Sequence, residues 1–130
     1  MLRLRQPNSP ASFGRTVHGI EDLLMSATLK NVSNTSLVGY RIGWVVVYPG
    51  GKDKVGLGLP VDVQGGLEPG QTTEVPAQEV DPRVAAEEAT AVVFFVAEVR
   101  TASGGLWKPP LSRIEQDARQ MAHSTLAPSN

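Results

Sequence analysis

The residues able to do chemistry are few and scattered. His18 and His123 stand near opposite ends, with no HxxxH or HxH spacing, so no histidine pair falls on one helix turn or strand face to hold a metal. Glu87, Glu88, Glu98, Glu115 and Asp117 would form an acid–base pair only if the fold converged two of them in a pocket. On helices and strand ends such side chains are ordinarily solvated. No Gly-x-Ser-x-Gly elbow is present. Pro49-Gly50-Gly51-Lys52 and Gly65-Gly66 lack the phosphate-loop pattern and the helix that must follow it, and read as turns. The absence of cysteine excludes disulfides, zinc thiolates, iron–sulfur clusters and cysteine nucleophiles. Asn31-Val32-Ser33 and Asn34-Thr35-Ser36 satisfy the glycosylation rule, but a polar turn generates such triplets cheaply. These residues predict no catalytic centre, no metal site and no cofactor.

Length and charge narrow the remaining classes. The 130 residues suit one domain, and 41% hydrophobic residues with 13 glycines is an ordinary globular composition. Twelve Lys and Arg against thirteen Asp and Glu leave a net charge of -1, so no overall field draws the chain to nucleic acid or acidic lipid. The longest apolar run, Val92 to Ala97, is far too short for a membrane span, and membrane insertion is not expected. Met1 to Pro7 carries positive charge but no signal-like apolar stretch. A periplasmic or other extracytoplasmic location is expected only if a leader has been removed.

The elements that position these residues are mostly strands. Short apolar runs bounded by Gly, Pro, Asn and Asp predict strands over Phe13–Ile20, Leu23–Val32, Leu37–Tyr48, Lys54–Val63, Gln71–Pro76 and Thr90–Thr101. The third is the clearest, alternating Val38, Tyr40, Ile42, Trp44, Val46 and Tyr48 with Gly39, Arg41 and Gly43. The fourth, loosened by Gly56, Gly58 and Pro60, suits a sheet edge. That edge could accept an added strand, although Pro60 guards against it. Leu67-Glu68-Pro69-Gly70 reads as a turn with Pro and Gly at the positions a type II turn favours. Ser103-Gly104-Gly105 turns the sixth strand into a hairpin with Leu106-Trp107-Lys108.

Two segments predict helix: a connector over Val84–Ala89 after Asp81-Pro82, and an amphipathic helix to about Ala122. The second opens on a capping box, Ser112 to Glu115, and aligns Leu111, Ile114, Ala118 and Met121. The expected organisation is a flexible segment 1–12, a domain over 13–110, the helix 111–122 and a flexible tail 123–130.

Short antiparallel strands without strand–helix alternation predict an all-β fold, an immunoglobulin-like antiparallel β-sandwich carrying these two helices. The expected structural core is Trp44, Tyr40 and Ile42 of the third strand against Val93 and Phe95 of the sixth. If Trp44 is sealed there, Trp44→Ala should cost roughly 3–5 kcal/mol.

Ala27-Thr28-Leu29-Lys30-Asn31-Val32-Ser33-Asn34, then Val45-Val46-Val47-Tyr48-Pro49-Gly50-Gly51, then Leu67-Glu68-Pro69-Gly70-Gln71, resembles the order found in bacterial FxLYD-type immunoglobulin-like modules. The resemblance spans roughly residues 23–101. Of the motif's own residues Tyr48 is retained, while Val45, Val47 and Pro49 stand where its aromatic, leucine and aspartate would fall. It implies a non-catalytic binding or spacer role in an exported or envelope-associated protein and carries no catalytic residue across.

The sixth strand is apolar on both faces, Val92, Phe94 and Val96 on one and Ala91, Val93, Phe95, Ala97 and Val99 on the other. One face belongs to the inter-sheet core. The other, with Phe94, needs the C-terminal helix, a second copy of the chain, or an apolar ligand. The interface or groove candidates are therefore Val92, Phe94, Val96, Trp107, Leu111, Ile114 and Met121. Trp107 serves either as an aromatic platform for sugar or peptide or as the residue closing the hairpin over the core. The expected function is a non-catalytic interaction or spacer module with an unidentified protein partner and a possible homodimer. The alternative is a carrier of a small apolar ligand, held between the sixth strand and the helix.

Overall fold

The computed structural model describes residues 2–18, 23–50, 53–79 and 91–126. Among the described residues the chain is mostly β with one helix, in two sheets whose pairing is antiparallel except at the N-terminus. Sheet B joins β2 (Ala11–His18), β3 (Leu23–Asn31), β7 (Thr72–Val75) and β8 (Gln78–Glu79), with β3 at its centre. Sheet A is built on β4 (Leu37–Val47) and β9 (Ala91–Thr101), which pair along most of their length. Beyond β4 lie β5 (Lys54–Leu57) and β6 (Val61–Leu67). Beyond β9 lie β1 (Leu2–Arg3) and β10 (Leu106–Trp107). The helix α1 (Leu111–Leu126) follows.

Local turn chemistry delivers these strands as expected. Gly70 has φ +84°, the left-handed value required at its place in a type II turn, and the Gln71 N–H donates to the Glu68 carbonyl at 3.0 Å. Gly104, at φ +90°, turns β9 into β10, where Trp107 faces Val99. The expected connector helix over 84–89 lies outside the described residues, as does the end of the first expected strand.

Sheet A is covered on both faces, and β9 explains how. Its register sets Phe94 opposite Trp44, Val96 opposite Ile42 and Val93 opposite Val45. Val92, Phe94 and Val96, all at most 1% exposed, therefore point with Tyr40, Ile42 and Val46 into the core shared with Ala27, Leu29 and Val75 of sheet B. Val93 and Phe95 point the other way, with Val45 and Val47, against Ile114, Ala118 and Ala122 of α1. The expected assignment of faces is thus reversed. Trp44 packs edge-on against Phe94, with ring centroids 6.3 Å apart and planes at 61°, and is only half-buried. Strict alternation also fails within β9. Arg41 pairs with Glu98 but Ile42 with Val96, so Ala97 is the extra residue of a β-bulge. The bulge returns Val99 to the inter-sheet core beside Val96.

The N-terminal segment, expected to be flexible, is part of sheet A. Leu2 and Arg3 pair in parallel with Val93 and Phe94, and the Leu4 N–H donates to the Phe94 carbonyl at 2.7 Å. The next rung is made by a side chain. The Gln6 amide nitrogen donates to the Val96 carbonyl at 3.0 Å, and its oxygen accepts from the Val96 N–H at 2.7 Å. The primary amide thus imitates a peptide unit as the main chain turns toward Pro7, while Leu4 is buried against α1. Because Val96 is 1% exposed, Gln6→Ala leaves both its backbone groups without these partners. We predict a loss of about 1–3 kcal/mol. Urea melts and faster exchange of the Val96 amide would report it; unchanged values would refute the clamp.

α1 runs further than expected, to Leu126, and begins at Leu111, before the proposed capping box. The Pro110 carbonyl accepts from Arg113 and Ile114, which leaves Ser112 inside the first turn. An ion pair anchors the helix: Arg119 donates to both oxygens of Asp53, at 2.7 and 3.0 Å, and to the Tyr48 carbonyl at 3.2 Å.

Candidate functional site

The structure disperses the candidate residues. Val92, Phe94 and Val96 are sealed between the sheets and line no surface groove. Ile114 is buried and Met121 half-buried beneath α1, which itself supplies the cover that β9 requires. Leu111, 45% exposed, points to solvent. Of this set Trp107 alone is half-buried beside a substantial cleft, with Ile114 contributing to the cleft wall.

That cleft, about 440 Å³, lies where three pieces of chain meet: the N-terminal segment at Arg5–Asn8, the end of β10 and the start of α1. Pro109 and Pro110 form one side, since a Pro-Pro step leads the chain stiffly from β10 into the helix. Arg5, Lys108 and Arg113, all exposed, line this cleft, while the half-buried Trp107 packs against the inter-sheet core and closes its hairpin end. Lys108 Nζ lies 3.6 Å from Glu98, and Arg113 Nε 3.2 Å from Asp117. A second cleft of about 380 Å³ flanks the same segment, lined by Arg3, Arg5, Phe13 and Val32. The expected reading passed over Arg3 and Arg5. Leu2-Arg3-Leu4-Arg5 alternates at period two, the signal that would have revealed the strand and its basic flank.

A third cleft, about 530 Å³, opens between the margins of the two sheets. Trp44 lines it with Leu59, Pro60 and Val61 on one side and Pro76, Ala77 and Gln78 on the other. The indole lies across Gly56, where an added Cβ would collide with its Nε1, so any larger residue there would displace the ring. Beside this opening Leu59 is 83% exposed and Leu57 44%.

Several of the ionic groups are engaged in pairs. Besides the pairs above, Arg100 Nη2 lies 2.7 Å from Asp62. His123 is exposed on α1, and His18 ends β2 in the other sheet. Among the described residues no three His, Cys, Asp or Glu side chains converge on a metal position. None of the described helices is long and apolar enough to cross a membrane.

Tyr40 is the group whose chemistry burial alters. Its ring is 2% exposed, and desolvation pushes its pKa up from 10.0 to about 12. The unfolded chain then loses this proton at lower pH than the native chain does. The stabilising contribution is complete below pH 10 and lost as pH rises to about 12. We predict that alkaline destabilisation over this window, of about 2–3 kcal/mol, shrinks in Tyr40→Phe. Identical urea midpoints against pH in both proteins would refute it.

The chain matches no family model and no curated protein. Two solved structures are similar to it. One is a hypothetical protein from Peptoclostridium difficile 630, at 10% identity and TM-score 0.46, over 84% of this chain and 91% of that one. The other is a structural-genomics target, at 10% identity and TM-score 0.36, over 75% and 74% of the two chains.

Proposed function

We propose that the protein is a non-catalytic immunoglobulin-like interaction module of the FxLYD kind, from a bacterial envelope or exported protein, that associates through the β5–β6 margin of sheet A. The strand arrangement supports the immunoglobulin-like reading, with β2–β3–β7 facing β10–β9–β4–β5 across one core. Asp53, Asp62, Glu98 and Asp117 each face an arginine or lysine on a different part of the surface, and this dispersal of the acids supports a non-catalytic role. The observation that carries the reading is Leu59, 83% exposed beside Leu57 and the half-buried Trp44, on a margin of sheet A that no other described strand covers.

A second copy of the chain is the simplest partner for this margin. Light scattering at high micromolar concentration is expected to find a dimer, and Leu59→Lys a monomer with an unchanged melting midpoint. A monomeric parent protein would overturn the homotypic contact. Turnover of a hydrolase substrate, abolished by Glu98→Gln, would overturn the non-catalytic reading.

The mainly apolar lining of the Trp44 cleft favours the carrier as a second reading. A monomer that binds an apolar dye saturably, with the dye displaced by Leu59→Lys, would select the carrier over the dimer.

A further inference from the structure

We infer that the paired clefts on either side of the N-terminal segment bind an acidic peptide segment of another protein. This site is separate from the β5–β6 margin and stands or falls independently of it. The two clefts share Leu4, Arg5, Gln6 and Pro7 as a common ridge. Their basic lining is Arg3, Arg5, Lys108 and Arg113; Asp117 faces Arg113, Glu98 faces Lys108 and Arg3 donates to the Gly14 carbonyl, so the positive charge exceeds the negative at this site without being wholly unopposed. The chain as a whole carries a charge of -1, so this concentration of cations is a local feature.

The geometry suits a peptide bearing both carboxylates and an apolar side chain. The Arg113 and Lys108 side chains are 71% and 60% exposed, leaving their donors open to further carboxylates despite their present partners. Guanidinium forks match carboxylates in two hydrogen bonds, which gives orientation as well as attraction. Beside them Pro7, Pro109 and Pro110, with the outer edge of the core-packed Trp107, present a rigid apolar surface, so little conformational freedom is lost when a partner docks. The Gln6 clamp on Val96 holds the ridge in place beforehand. A nucleic acid fits less well, because four cations beside a single tryptophan cannot follow a phosphate chain far.

The test uses the full chain and a short fluorescein-labelled peptide alternating glutamate and leucine, followed by fluorescence anisotropy. The same peptide with lysine for glutamate, and a labelled single-stranded oligonucleotide, serve as controls. Saturable binding of the glutamate peptide alone is expected, weakening about tenfold between roughly 50 and 300 mM salt. The double substitution Arg5→Gln and Arg113→Gln should weaken it by about tenfold or more. Both side chains are exposed, so the fold should survive. Charge reversal, Arg5→Glu with Arg113→Glu, should transfer binding to the lysine peptide, an outcome that misfolding cannot imitate. The inference is overturned if the glutamate peptide does not bind, if both peptides bind the parent chain alike, or if the oligonucleotide binds more tightly.

Discussion

Phe94→Ala is expected to destabilise the protein by roughly 3–5 kcal/mol, a large share of the stability of a domain this size. The ring is fully buried at the centre of the inter-sheet core, between Val92 and Val96 on its own strand and against Trp44 on the neighbouring one. Its removal forfeits the transfer energy of the ring and leaves a cavity that two hydrogen-bonded sheets cannot collapse to fill. Phe95→Ala is the control, since this ring is equally buried but lies beneath α1. Both variants should lower the urea midpoint. Hydrogen exchange should separate them, with Phe95→Ala releasing the amides of α1 first and Phe94→Ala those of both sheets. A loss below about 1 kcal/mol for Phe94→Ala would contradict the placement of this ring.

Asn31→Ala should be nearly as damaging, by about 2–4 kcal/mol, although no apolar core is touched. Asn31 is fully buried. Its side-chain nitrogen donates to the Thr35 and Leu67 carbonyls, each at 2.8 Å, and its oxygen accepts from the Ser33 N–H at 2.9 Å and hydroxyl at 2.7 Å. One amide therefore closes the turn after β3 and fastens it to the end of β6. Alanine leaves the buried Leu67 carbonyl without this donor. Asn31→Asp should cost more, because a carboxylate would meet two carbonyl oxygens where donors are required. Urea melts of the two variants test the order; equal stability of parent and aspartate variant would refute it. The same burial closes Asn31 to glycosylation in the folded chain.

Much of the fold was legible from residues near one another in the chain. β4 announced itself through the alternation of Tyr40, Ile42, Trp44 and Val46, and of these Tyr40, Ile42 and Val46 are buried in the inter-sheet core. Helix α1 was legible from Ile114 and Ala118, both buried as a stripe on one face. The inward face of β9 was not legible. From Ala91 to Ala97 every residue is apolar, so a period of two carries no information about which set points inward. The choice belongs to the pairing of Trp44 with Phe94, and the bulge at Ala97 then breaks the alternation further along. The candidate site suffered for the same reason, since Val92, Phe94 and Val96 were assigned to the face that needed cover.

The composition and turn residues of this chain were enough to specify most of the strands and the all-β class, because glycine, proline and alternating side chains act within a few bonds of themselves. They did not specify β1 or the break of the expected strand Lys54–Val63 into β5 and β6. Strand register, the face that α1 covers, the Gln6 rung and the meeting of Arg5 with Lys108 and Arg113 emerged with the folded chain. Each depends on contacts between residues tens of positions apart, and the free energy that selects among them exists only when the sheets pack.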